Sequence, residues 1–405
     1  MKNELPVSAN ARSVVTQLQK AGYETYIVGG AIRDMLLGRT PKDFDISTAA
    51  TPEEIRQVFG RRSARIIGKR FRLAHVYSGR ELFEVATFRK APGKKDLAEH
   101  QNSGNDDLPD NLIMSDNSFG TSKEDAARRD FTVNALFYDP EKKEIKDFTG
   151  KGLEDMERGI VRAIGNPGLR FEEDPVRMLR ALKLVGQYDF ALDSATENAL
   201  FAKLPLFELA SSSRRALELE KILQSAYGDR LFEVFHDYGL LNLFLPKLDG
   251  AWGSDAMNYA LDLLFERNCR MEEGCFRNSI SLAMAVIALP FVEAASGRAP
   301  GTLWESSQES DAVVEEIVDT LFLPQNMMVR MREAACRILR LLPLMENREN
   351  HMLRRIYSSR SYGHARELLL IRQAVAGKPL EECEALWPDS VPERGPRVRR
   401  KRGRR

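Results

Sequence analysis

The stretch that most narrows the possible folds is short. Tyr23–Val28 reads as a strand that ends in Gly29-Gly30; a helix follows from Ala31 to Leu37, and a second strand covers Asp43–Thr48. Glycine has no Cβ, so Gly29 and Gly30 let the backbone approach a ligand as bulky as a triphosphate. The first N–H groups of the following helix are free donors for the same anion. Arg33, one turn into that helix, is within reach of a phosphate. The second strand begins Asp43-Phe44-Asp45. Residues two apart in a strand share a face at ~6.6–6.8 Å along the chain, so Asp43 and Asp45 present two carboxylates to one site while Phe44 points into the core. Paired carboxylates suit Mg²⁺, a hard ion held by a few oxygens together with substrate phosphates. Two such ions ~3.5–4 Å apart activate an attacking hydroxyl and stabilise a departing pyrophosphate. Alone, a diglycine is mostly a turn and an Asp-x-Asp mostly a solvated strand end. Their order is what makes them specific.

Around this nucleus the first 165 residues read as mixed α and β. Thr51-Pro52-Glu53-Glu54 has the form of a helix start, with an N-cap Thr, Pro at the first helical position and acids in the first turn. Phe71–Tyr77 and Leu82–Phe88 pair around Ser78-Gly79 as an antiparallel hairpin. Residues 91–118 are polar and aperiodic, the pattern of a long mobile loop. A helix spans Ser122–Leu136, and strands at Glu144–Phe148 and Val161–Ile164 close the region. From about Pro175 to Ala376 the period becomes helical, as in Arg177–Tyr188, Ala216–Ala226 and Met328–Leu342. The fold class is therefore α+β: a head with a mixed sheet (1–165), a helical neck (166–246), a helical body (247–393) and a disordered basic tail (394–405).

Composition excludes other classes. Apolar residues make up 43% and charged residues 29% of 405, outside the disordered, collagenous and membrane ranges. No apolar run reaches the ~20 residues that span a bilayer, and Met1-Lys2-Asn3-Glu4 has no signal-type apolar core. The four cysteines lack zinc spacing and are too few for a disulfide scaffold; they read as core residues in a reducing cytoplasm. The net charge of +1 hides an asymmetry. Residues 394–405 hold seven arginines and one lysine with no acid, which leaves residues 1–393 at −7 and points the tail toward a polyanion.

Other residues fit the same site. In Arg128-Arg129-Asp130-Phe131-Thr132-Val133-Asn134, Asp130 and Asn134 lie four apart on the expected helix and share a face. Asp130 is a candidate third carboxylate and Arg129 a phosphate contact; a salt bridge is the plainer reading. Glu84, on an adjacent strand, is the rival third carboxylate and ranks lower. Asp174, before Pro175, is either a helix N-cap or, with Arg177 one turn on, a pair facing a nucleobase; Arg180 extends that stripe. The histidines assemble no triad or metal cluster, and His75 reads as packing.

The order GGAIRD, DFDIST, RRDFTVNAL, EEDPVRML resembles the class II nucleotidyltransferases, the family of CCA-adding tRNA nucleotidyltransferases and bacterial poly(A) polymerases. The resemblance runs from Tyr26 to Pro246. Within it, Ile66–Val76 is similar to the poly(A) branch, as is the Arg-rich C-terminus, whereas residues 247–393 carry no familiar motif. The resemblance implies a metal-bearing pair, Asp43 and Asp45, with Asp130 among the active-site positions. It implies that Gly29, Gly30 and Arg33 hold the triphosphate, and that Asp174 and Arg177 face the incoming base, as in CCA-adding members. The activity it implies is template-independent addition of AMP from ATP to RNA 3′ ends with Mg²⁺. CCA addition is the near alternative and a non-catalytic RNA-binding protein the remote one.

Overall fold

A computed structural model describes residues 4–68, 73–90, 118–348 and 351–389. Residues 69–72 of the Ile66–Val76 segment, the expected loop as far as residue 117, and the basic tail lie outside the described residues. Contacts divide the chain into two compact units, Met1–Ala210 and Ser211–Arg405.

The first unit is built on a seven-stranded sheet: β1 (Thr25–Val28), β2 (Asp45–Thr48), β3 (Ala64–Ile67), β4 (Leu73–Ser78), β5 (Glu81–Thr87), β6 (Leu136–Asp139) and β7 (Glu144–Asp147), in the order β3-β4-β5-β2-β1-β6-β7. The β2–β5 pair is parallel and the others antiparallel. All four residues of β1 are buried, as expected of a strand covered on both faces. Tyr26, Val28, Phe88 and Phe137 form one cluster with Phe148 against it, and the Tyr26 and Phe137 rings meet edge-on at 5.8 Å.

Local signals were obeyed where they were strong. Thr51 caps the helix Pro52–Ser63 in a reciprocal box with Glu54. The β4–β5 hairpin turns through Gly79-Arg80, with Gly79 at φ +61°. The helix expected over Ser122–Leu136 instead ends at Arg128. Past that point long-range pairing wins: Phe131 bridges Ala163, the Thr132 N–H donates to Arg162 O, and the Ile164 N–H donates to Asp130 O. Leu136 then opens β6, a strand whose Leu-Phe-Tyr-Asp sequence shows no alternation. Asp43 precedes β2 rather than lying in it, and Phe44 is only half-buried. The helices Pro167–Glu173, Val176–Tyr188 and Ser194–Lys203 complete the unit around Phe171, Leu179, Leu182 and Leu200.

The second unit is helical among its described residues. Its centre is Ile280–Ala295, apolar nearly all round and buried for most of its length. Around it pack Asp255–Glu272, Gln308–Phe322, Val329–Asn347 and Tyr362–Val375. Arg267 is fully buried; it donates to the carbonyls of Leu223 and Ser225, 2.9 Å each, at the end of the helix Ser212–Leu223. Its remaining acceptors are the Asn268 and Asn278 side-chain oxygens, and burial pushes its pKa down to about 10. Cys336 and Cys383 are core residues as expected, but Cys275 is exposed. No helix among the described residues is long and apolar enough to cross a membrane.

Candidate active site

Gly29 sits at φ +79°, ψ −142°, a conformation open to glycine and to almost no other residue. A Cβ placed there would lie 3.4 Å from Arg129 Nη1 and 3.9 Å from Asp45 Oδ2. The bare backbone at Gly29 is thus flanked by a guanidinium on one side and a carboxylate on the other. Strand register explains the second contact, because Val28 pairs with Asp45 across β1 and β2. Asp43 and Asp45 are both exposed.

The two arginines expected at phosphate are held differently. Arg33 is largely occupied by protein: Nε and Nη2 donate to Asp34 Oδ1 (3.0 and 2.8 Å), Nη1 to Asn134 Oδ1 (2.7 Å), and Nη2 also to the Tyr188 hydroxyl (2.6 Å). Its Nη2 nevertheless stands 3.2 Å from where a Gly30 Cβ would be. Arg129 is tied by Nε and Nη2 to Asp125, by Nη2 to Ser47 Oγ and by Nη1, at 3.5 Å, to the Asn134 carbonyl, with Nη1 beside Gly29.

Asp130 does meet Asn134, through a turn and not a helix face. The Asn134 amide donates to Asp130 Oδ1 at 3.2 Å, the Phe131 N–H donates to the same oxygen, and Arg180 lies 3.9 Å from Oδ2. Among the described residues no three His, Cys, Asp or Glu side chains form a metal-sized group, so Asp130 is not gathered with Asp43 and Asp45. Glu84 is nearer by topology. The parallel register pairs Ile46 with Val85, so Glu84 lies alongside Asp45, exposed, with His75 Nε2 at 3.7 Å.

Asp174 and Arg177 are nearly buried side by side, Arg177 Nε 3.8 Å from Asp174 Oδ2. Asp174 also accepts the Val176 N–H, so it serves the helix start while facing the arginine. Arg170, which nothing in the local sequence singles out, ties this corner to the Arg128-Arg129 turn. It donates through Nη2 to the carbonyls of both residues, and through Nη1 to Glu173, whose Oε2 also lies 3.5 Å from Arg177. Burial, and then the positive charge of Arg89, Arg129, Arg177 and Arg170, push the Arg128 pKa down to about 9. Burial, then Arg170, lower that of Arg177 as well. Guanidinium groups crowded enough to weaken one another's charge favour a polyanion beside them.

This geometry has known counterparts. Residues 25–162 match the family described as the poly A polymerase head domain, and residues 189–251 match that described as the probable RNA and SrmB-binding site of polymerase A. A poly(A) polymerase I of Haemophilus influenzae is 42% identical over 245 residues, 60% of this chain and 52% of that protein. A CCA-adding enzyme of Geobacillus sp. is 35% identical over 238 residues, 59% of this chain and 54% of that protein. The chain spans about half the length of these curated relatives. Among solved structures, the Bacillus stearothermophilus CCA-adding enzyme in complex with CTP aligns with a TM-score of 0.62 at 26% identity, covering 93% of this chain and 80% of that one. The diglycine, acidic-pair and Arg-Arg-Asp segments all fall inside residues 25–162, the stretch that matches the poly A polymerase head domain.

Proposed function

We propose that the protein is a template-independent poly(A) polymerase of the cytoplasm. The carrying observation is the bare Gly29 backbone between Arg129 and Asp45. An RNA 3′-oxygen attacks the α-phosphorus of ATP in line; the bond from that phosphorus to the bridging β-oxygen breaks, pyrophosphate leaves, and the hydroxyl proton passes to solvent. Rate comes from positioning and charge stabilisation, as in phosphoryl-type transfer generally. Gly29 and Gly30 admit the triphosphate to the backbone, Arg129 and Arg33 face its charge, and Asn134 orients Arg33. Asp174 and Arg177 face the base, with Arg180 beyond them. Asp43 and Asp45, exposed and with Asp45 beside the phosphate cradle, fit an oxygen-donor site for Mg²⁺. When bound, Mg²⁺ supplies charge neutralisation at the attacking and leaving oxygens. Residues 166–246 act as a neck that binds nucleotide and RNA. Residues 247–393 act as an RNA-binding body, and the +8 tail adds phosphate affinity.

Adenine addition is favoured over CCA addition by the higher identity to poly(A) polymerases over nearly the same length. CCA addition keeps one observation of its own: a solved structure that aligns along most of the chain is a CCA-adding enzyme in complex with CTP. The test offers ATP, CTP or both, on a tRNA lacking its CCA end and on an unstructured RNA. Long A-only extension of the unstructured RNA is expected. Addition of two C and one A confined to the tRNA would replace this reading by the other.

Asp130 enters the site through Asn134 and Arg180, and we take Glu84, alongside Asp45 in the parallel register of β2 and β5, as the third carboxylate. Glu84→Gln is therefore expected to raise the Mg²⁺ concentration for half-maximal activity by about tenfold or more. Asp130→Asn is expected to lower turnover with that midpoint unchanged. A Mg²⁺ titration in which the two variants exchange behaviour would return the metal role to Asp130.

A further inference from the structure

We propose that Tyr188 is a positioning residue of the nucleotide site, acting through Arg33; the proposal rests on the nucleotidyl-transfer reading above and extends it. Tyr188 is the last residue of the helix Val176–Tyr188. Its hydroxyl accepts from Arg33 Nη2 at 2.6 Å and donates to Asp34 Oδ1 at 2.7 Å. Its ring lies under the same guanidinium, with Arg33 Cζ 4.3 Å and Arg39 Cζ 4.7 Å from the centroid. A phenol meets all of these demands at once: a π face for cations, an acceptor for Arg33 and a donor for Asp34.

The contact belongs to a closed circuit. Arg33 bonds Asn134, Asn134 bonds Asp130, and Asp130 faces Arg180, which lies on the same helix as Tyr188. The eight-residue step from Arg180 to Tyr188 spans ~12 Å of rigid helix. Without the phenol hydroxyl, Arg33 Nη2 keeps only Asp34, its neighbour in sequence. A bond between adjacent residues moves with them and does not fix the guanidinium relative to the sheet. Asn134 anchors Nη1, and Tyr188 anchors Nη2 beside the open backbone of Gly30.

The test uses the full chain, an unstructured RNA primer and ATP, with ATP binding also measured without primer by equilibrium dialysis. Tyr188→Phe keeps the ring and removes both hydrogen bonds. It is expected to raise KM for ATP and the dissociation constant by about tenfold, with kcat changed little and the melting midpoint unmoved. Tyr188→Leu should do more. In a double-mutant cycle, Arg33→Ala with Tyr188→Phe should be no worse than Arg33→Ala alone, because Tyr188 acts only through Arg33. A Tyr188→Phe variant with wild-type KM, or a double variant whose loss is the product of the single losses, overturns the proposal. A wild-type chain that neither binds ATP nor extends RNA overturns the transfer reading, and this assignment with it. Activity in the wild type with an additive cycle overturns this assignment alone.

Discussion

Asp43→Ala and Asp45→Ala are each expected to reduce nucleotide incorporation by about three orders of magnitude or more, and to leave the thermal midpoint almost where it was. The separation of the two effects follows from position. Both side chains are exposed, and Asp45 is the first residue of β2, so their removal opens no buried cavity. What is lost is charge beside the Gly29 cradle, where electrostatic and metal contributions commonly supply several kcal/mol to a transition state. Asp45→Asn, nearly the same shape without the charge, should fall almost as far. Single-turnover extension of a labelled RNA, with circular dichroism for the fold, measures both halves. A double variant that still extends near the wild-type rate would sink the acidic-pair mechanism.

Arg267→Met is expected to lower the stability of the second unit by about 2–3 kcal/mol, the cost of leaving the buried Leu223 carbonyl and Asn268 side-chain oxygen without a donor. Methionine fills most of the volume, so the loss is polar in origin. The carbonyls of Leu223 and Ser225 and the side-chain oxygens of Asn268 and Asn278 all lose the guanidinium. The charge itself sits at a helix C-terminus, where the backbone dipole favours a cation. Urea unfolding followed by far-ultraviolet dichroism reports the change. A midpoint equal to wild type would mean that the four acceptors find other donors.

Features encoded within a few residues were legible in the sequence: the Thr51 box, the Gly79 hairpin, and the diglycine with its acidic pair. Features decided by distant partners were not. Nothing near Leu136 announces a strand, because its four-residue run, Leu-Phe-Tyr-Asp, has no alternation and its place in the sheet is set by β1 and β7. Asp130 and Asn134 were correctly paired on a wrong premise. A helix face and a tight turn both bring such residues together, and only the bridge from Phe131 to Ala163 decides between them. Tyr188 and Arg170 carried no local signal, since their site partners lie far away in the chain: Arg33 is 155 residues from Tyr188, and Arg128 is 42 from Arg170. The division at Ala210 and Ser211 falls in a short extended link between Leu204–Leu209 and the helix Ser212–Leu223, too brief to stand out within a region whose period is helical almost throughout.

The helix Val176–Tyr188 has a consequence for how this protein can drift over generations. Its beginning lies beside Asp174 and Arg177, and its end grips Arg33. Inserting or deleting one residue between them would turn everything downstream by about 100° and shift it by 1.5 Å. Tyr188 would then face away from Arg33 while Arg177 stayed put. Point substitutions on the helix's outer face leave that phase intact, whereas length changes do not. The tolerance of this segment is therefore lopsided: exchange of residues is open at its few half-buried positions, gain or loss is closed along its whole length.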